Sequence, residues 1–216
     1  MTAVVEVPLL ELSGLVWETH GSRRGLSPDP LTVDSGHTAV VVAGHSCEAD
    51  AFADVLLGLE MPVRGQIKIG DQEIAMRPPE ERELGLVPAG AGLLPHLTVE
   101  KNLALAASDG LAPSFAQGRV AFMARRMGIQ GFLRSRPHEL AHDERLSVAL
   151  ARAMCRFVPV RVMVIEDRTG SGPCHAAVSA ALGAELAVLV VTDDRTRVAS
   201  LASPSHFWEV ADVVEP

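Results

Sequence analysis

The chain contains no tyrosine, and aromatic residues make up only 4% of its 216 positions. Its core must therefore rest on valine, leucine and alanine, which dominate a hydrophobic fraction of 48%. That is enough for one large domain, or for a core with a smaller lobe. Long basic runs are missing and the net charge is −8. A nucleic-acid footprint is not expected, because neutralising phosphates takes clustered Lys and Arg. No stretch reaches the ~20 apolar residues of a membrane-spanning helix. The opening MTAVVEVPLLEL carries Glu6 and no basic segment, so a secretory leader is not expected. Cys47, Cys155 and Cys174 are odd in number and widely spaced. They suit a reduced, cytoplasmic protein better than a disulfide scaffold. Internal repeats and low-complexity segments are also lacking.

What is present is organised around Ala43 to Gly58, AGHSCEADAFADVLLG. A small apolar run, Thr38 to Val42, precedes it, and a helical apolar pattern follows. This is the strand–loop–helix layout in which loop N–H groups and a helix N-terminus hold a polyphosphate. The chemistry is wrong for that ligand. The loop has one glycine, Gly44, no lysine, and the carboxylates Glu48 and Asp50.

Elsewhere, Val4 to Trp17 reads as one or two strands and Gly21 to Pro30 as a loop. Gly65 to Ile74 is a hairpin turning at Gly70 and Asp71. Leu84 to Pro88 is a strand, and Ala89 to Leu97 a flexible loop. Helices are predicted over Thr98 to Ala107, with Thr98 as N-cap, over Ser114 to Met127, and over Glu139 to Phe157. Arginines gather near the C-terminal end of the second, where the helix dipole favours them. Strand returns at Val160 to Ile165, then a helix from Cys174 to Leu182. A strand at Leu186 to Val191, a short helix and a strand at Phe207 to Val213 close the chain. Strands alternating with helices at both ends predict a parallel α/β sheet. The helical middle predicts an inserted lobe, residues 98–157, between core segments 1–97 and 158–216.

Other constellations carry less. His45 and Cys47 with Cys174 and His175 lack metal-ligand spacing, so no metal is expected. Gly170-Ser171-Gly172 lies between strand and helix and has no lysine, so it reads as a connecting turn. No G-x-S-x-G nucleophile elbow is present.

Five strings stand in one collinear order. They are LLGLEMPVRG from Leu56, VPAGAGLLPHLTVEKNL from Val87, PHELAHDERLSVALARAM from Pro137, VMVIED from Val162 and VTDD from Val191. Together they resemble the ATP-binding subunit of ATP-binding cassette (ABC) transporters over nearly the whole chain. The second string is most similar to the branched-chain amino-acid uptake group. The resemblance implies an α/β fold of the P-loop NTPase type. It has a parallel sheet, an N-terminal antiparallel β-subdomain and the helical lobe.

The same resemblance assigns site positions, and most depart from the family's pattern. Counting back from Gly58 without a gap puts Ala49 at the phosphate-binding lysine and Asp50 at the Mg²⁺-binding hydroxyl. Anchoring on Gly44 with one residue deleted puts Asp50 at the lysine. The Q-loop glutamine falls on Ala89. The Walker B pair becomes Glu166-Asp167, which shortens the candidate base by one methylene. The switch histidine falls on Asp193, and the signature Ser-Gly-Gly on Ala141-His142-Asp143. The adenine-stacking aromatic falls on His20, or on Trp17. Carboxylates at Glu48 and Asp50 would repel a triphosphate by roughly several kcal/mol at an effective dielectric of ~20.

The expectation is a pseudo-ATPase, a scaffold or regulator of a transport system with no nucleotide cofactor. Its implied partners are a permease or an active ATPase subunit, in a homo- or heterodimer at the inner face of the membrane. The broken signature disfavours a half-active heterodimer. Two alternatives stand beside it. One is an importer ATPase that binds Mg-ATP through atypical motifs. The other is a stand-alone module holding a cationic or neutral ligand near Cys47, Asp50 and Asp193.

Overall fold

The computed structural model describes residues 8–108, 112–168, 174–201 and 207–213. Strand β1 (Leu10–Thr19) opens the chain, followed by β2 (Ser22–Ser27), β3 (Leu31–Val33) and β4 (Thr38–Val42). Helix α1 (Ser46–Leu57) comes next, then the hairpin β5 (Arg64–Ile69) and β6 (Gln72–Glu73), then β7 (Leu84–Val87). Three helices follow: α2 (Val99–Ala107), α3 (Pro113–Arg126) and α4 (His142–Met154). The chain ends through β8 (Val162–Asp167), α5 (His175–Leu182), β9 (Ala187–Thr192), α6 (Val198–Leu201) and β10 (Phe207–Asp212).

The strands form one mixed sheet in the order β6-β5-β1-β2-β10-β4-β9-β8-β7, with β3 also on β1. Strands β10, β4, β9, β8 and β7 run parallel. Those around β1 are antiparallel. The inner parallel strands β4, β9 and β8 are apolar on both faces for most of their length, as strands covered on both sides must be. Val40, Val188, Val190, Met163 and Ile165 pack toward the helices α2 to α5. Val41, Leu189, Val191, Val162 and Val164 pack toward α1 and β1 on the other side. Each fully buried valine or leucine contributes about 1.5–3 kcal/mol, so many weak aliphatic contacts do what few aromatics would.

Helix α1 buries Ala49, Phe52, Ala53, Val55 and Leu56. It stops at Gly58, which adopts the left-handed conformation (φ 81°). The close neighbour there is the Arg82 guanidinium, 2.6 Å from where a Cβ would stand. Arg82 is itself buried and donates to the carbonyls of Val55, Leu56, Ala75 and Arg77. It thereby satisfies the orphan Leu56 carbonyl of the helix end and joins the Gly58 N–H on that of Val55.

Three sequence expectations are revised. The segment 21–30 is not all loop, because Ser22–Ser27 forms β2 between β1 and β10. Its polar sequence, SRRGLS, hides the strand, and its arginines turn out to be structural. The third lobe helix begins at His142 rather than at Glu139. Leu140 and Ala141 are extended, and a separate short turn spans Pro137–Glu139. Within 89–97, Ala89–Ala91 makes a tight helical turn. Thr98 does cap α2, accepting the Lys101 N–H on its hydroxyl. The Gly170-Ser171-Gly172 turn and the strand start at Val4 lie outside the described residues.

Candidate functional site

The parallel strands β4, β7, β8 and β9 end on one edge of the sheet, the usual place for a ligand crevice in α/β folds. Register sets what meets there. Val42 pairs with Thr192 and Asp167 with Thr192, while Glu166 lies opposite Val191. Gly44, Glu48 and Asp50 follow β4, Ala89 follows β7, Glu166-Asp167 end β8, and Asp193 follows β9. Tertiary structure thus gathers at one edge positions separated by up to ~150 residues in sequence.

The loop after β4 is closed on itself. Helix α1 begins at Ser46, with His45 as an extended N-cap. The N–H groups of Glu48 and Ala49 both point to the His45 carbonyl, at 3.1 and 3.2 Å. The Gly44 N–H donates to the Glu48 carboxylate at 3.0 Å. Ala49 is fully buried. The second Glu48 oxygen accepts Arg24 Nε from β2 at 2.8 Å. Burial opposes ionisation of Glu48, but Arg24 and the Gly44 N–H outweigh it and hold the carboxyl below its ordinary range.

Each of three arginines bridges two carboxylates. Arg24 joins Glu48 and Asp212. Arg168 reaches Asp50 at 2.8 Å and Glu166 at 3.5 Å, and also donates to the Val191 carbonyl. Arg197 joins Asp167 and Asp194. Asp167 is fully buried and also accepts the Thr192 hydroxyl at 3.2 Å. The hydroxyl and N–H of Thr196, together with Arg197, hold Asp194 below the usual carboxylate range. Next to Asp167 lies Cys174, whose thiol is pushed up to about 12 by burial and that neighbouring carboxylate. Glu166 accepts the Ala89 N–H at 3.1 Å, tying the end of β8 to the turn after β7.

The other positions fall elsewhere. His20 is exposed on the β1–β2 turn (φ 49°). Trp17 is corrected as a base-stacking candidate: it has no exposure and stacks on Phe52, with ring centroids 5.1 Å apart. Asp193 is half-buried just beyond β9. Ala141, His142 and Asp143 sit at the start of α4, where the Ala141 N–H is capped by Glu144 at 2.7 Å. Among the described residues, no three His, Cys, Asp or Glu are grouped to hold a metal ion.

Glu48 and Asp50, the carboxylates expected to repel a triphosphate, are each paired with an arginine. Sequence reasoning missed Arg24, Arg168 and Arg197 as site residues. For Arg168 a signal existed, because it directly follows the acidic pair. Arg24 comes from a strand read as loop.

A mixed sheet with a capped helix after its central strand, and a helical lobe between β7 and β8, defines the ABC ATPase class of α/β fold. The chain belongs to the ABC transporter family, whose model matches residues 43–163, more than half of it. It is similar to the thiamine import ATP-binding protein of Escherichia coli K12. Those two are 28% identical over 204 residues, 94% of this chain and 83% of that one. The sulfoquinovosyl glycerol transport ATP-binding protein of Agrobacterium fabrum is 30% identical over 140 residues, 64% of this chain. The sn-glycerol-3-phosphate import ATP-binding protein of E. coli K12 is 30% identical over 148 residues, 68% of this chain. The matches span only 39% and 42% of those two longer relatives. Among solved structures, CbiO1 of Clostridium perfringens, part of the CbiONQ ABC transporter complex, superposes with a TM-score of 0.68. It does so at 18% identity, over 88% of this chain and 80% of that one. An ATP-binding cassette in its ADP conformation gives 0.69 at 14% identity, over 88% and 82%.

Proposed function

We propose that this chain is a pseudo-ATPase, an ABC-type subunit that serves an import system as a scaffold or regulator without nucleotide turnover. The observation that carries the reading is the closed loop after β4. A phosphate-binding loop works by presenting free N–H groups and a lysine to the β- and γ-phosphates. Here the donors of Gly44, Glu48 and Ala49 are taken by the chain itself. The lysine position is alanine in one register and aspartate in the other. Mg-ATP is the family's usual cofactor, and these residues do not fit it. The Glu48 carboxylate lies against the Gly44 N–H that a phosphate oxygen would need. Arg168 already spans Asp50 and Glu166, the two positions that would face the metal. Asp167, at the place of the general base, is buried and already accepts from Arg197 and the Thr192 hydroxyl, which sets it apart from a free base.

The importer relatives support a permease as partner, with this chain held at the inner face of a membrane through it and pairing as a dimer. A groove of about 590 Å³ suits that role. Leu57, Leu59, Leu86, Leu94 and Leu105 line it, with Arg152 and Arg156 on the lobe side. Leu94, which lines it, belongs to LLPHLTVEKNL, the string that is similar to the branched-chain amino-acid group, whose transporters are one candidate system. Domain limits of 1–97 with 158–216 for the core, and 98–157 for the lobe, belong to the same proposal.

The importer names of the relatives favour a second reading, an ATP-binding subunit that uses Glu166 and Asp167 with atypical phosphate contacts. Calorimetric titration with Mg-ATP separates the two. The scaffold reading expects no saturable binding tighter than about 100 µM, or roughly −5.5 kcal/mol. Binding below that concentration, with turnover that Glu166→Gln abolishes, would overturn it. Co-purification with a permease supports the scaffold role.

A further inference from the structure

The outer face of α3 is built unlike the rest of the chain. Residues 110–138 hold five arginines and no Asp or Glu, within a protein of net charge −8. Helix α3 packs Ala116, Val120, Met123 and Ala124 into the core. Its opposite side shows Phe115 and Phe122, 71% and 53% exposed. Spaced by seven, they share one stripe with Arg119 and Arg126. Phe157, 63% exposed, adds a third ring across a shallow recess shared with Arg119 and Arg156. Half of the chain's six phenylalanines therefore stand in solvent on one basic patch, while its buried core is almost wholly aliphatic. Among the described residues, none of the arginines of α3 has a carboxylate partner.

We infer that this patch docks on an anionic lipid surface. Aromatic rings beside arginines on a half-buried helix are what an interfacial element needs: apolar groups to enter the headgroup boundary and guanidinium groups for acidic lipids. Charge complementarity favours lipid over the other occupants. Cytoplasmic loops of a permease are themselves enriched in Lys and Arg. A symmetric pairing of two copies through this face would set arginine stripes against each other. The patch also adjoins the apolar groove, since Arg156 lines both. A partner seated in the groove and a bilayer under α3 can thus be contacted from one side. The inference goes beyond the scaffold reading and does not depend on nucleotide.

The test is sedimentation of the full chain with phosphatidylcholine vesicles, with and without 30% phosphatidylglycerol, at 0.1 M NaCl. Neither permease nor nucleotide is present, so failure here leaves the scaffold reading standing. Partitioning at least tenfold stronger onto the anionic vesicles, and lost at 0.5 M NaCl, is expected. The double variant Phe115→Ser/Phe122→Ser should lose at least tenfold, and Arg125→Gln roughly fivefold. Both keep native circular dichroism because the side chains are exposed. Equal partitioning onto the two vesicle types would overturn the inference, as would unchanged binding by both variants. A Phe-dependent dimer in sedimentation velocity, or binding to single-stranded RNA tighter than to vesicles, would replace lipid with that occupant.

Discussion

The Glu48 carboxylate accepts the N–H of Gly44, four residues earlier, at 3.0 Å. It is an anion supplied by the chain inside its own loop after β4, and Arg24 completes its shell from a different strand.

That contact predicts an acid-sensitive contribution to stability. The ordinary Glu value is 4.5, and the folded protein lowers it. A carboxyl with a depressed folded pKa stabilises the fold above its unfolded value. The contribution then disappears as pH falls through the folded one. Wild type should be more stable than Glu48→Gln at pH 7, and the gap should narrow as pH drops below about 4.5. Urea midpoints at pH 7, 5 and 3.5 check this. A gap that is constant across the range would show that the charge is irrelevant.

Arg82 sets the stability of the end of α1. Arg82→Ala strands the carbonyls of Leu56, Ala75 and Arg77, and should cost about 3–5 kcal/mol. Gly58→Ala pushes a methyl against that guanidinium from a left-handed backbone and should cost about 1–3 kcal/mol. Because the two sites touch, the double variant should cost less than the sum. Chemical denaturation of the three variants measures it.

Asn102 is fully buried and holds the loop before α2. It accepts the Leu94 N–H at 2.8 Å and donates to the carbonyls of Leu94 and Thr98. Asn102→Ala should destabilise by about 2–4 kcal/mol. It should also raise hydrogen exchange at residues 93–98, of which Leu94 lines the apolar groove. Permease co-purification should fall more than for Leu59→Ala, which trims the groove's apolar lining but leaves the loop in place.

The thiols should separate by environment. Cys155 and Cys174 are buried, and burial pushes both up to about 12, so they are inert near neutral pH. Cys47 is half-buried in the loop after β4. Alkylation at pH 8 should modify Cys47 first in the native protein, and all three after unfolding. Fast modification of Cys174 would show that the end of β8 opens.

Much of this was legible in the chain. Apolar runs such as Ala39 to Val42 have no polar side chain to expose, so their burial in parallel strands follows from composition and period. Thr98, Gly58 and the Gly70 turn act through their own backbone geometry, and local rules found them. The missing lysine and the glycine-poor loop could be read without coordinates. What local pattern could not supply was the partner of each charge. Ser22 to Ser27 is polar and short, and only pairing with β1 and β10 makes it a strand that carries Arg24 to Glu48. Likewise Arg168 meets Asp50 across more than a hundred residues because β4, β9 and β8 lie side by side. The sequence by itself determined the fold and the residue types of the loop after β4. Tertiary structure alone decided that this loop is closed by its own carboxylate and held by arginines, because ion pairs depend on distance in space and not along the chain.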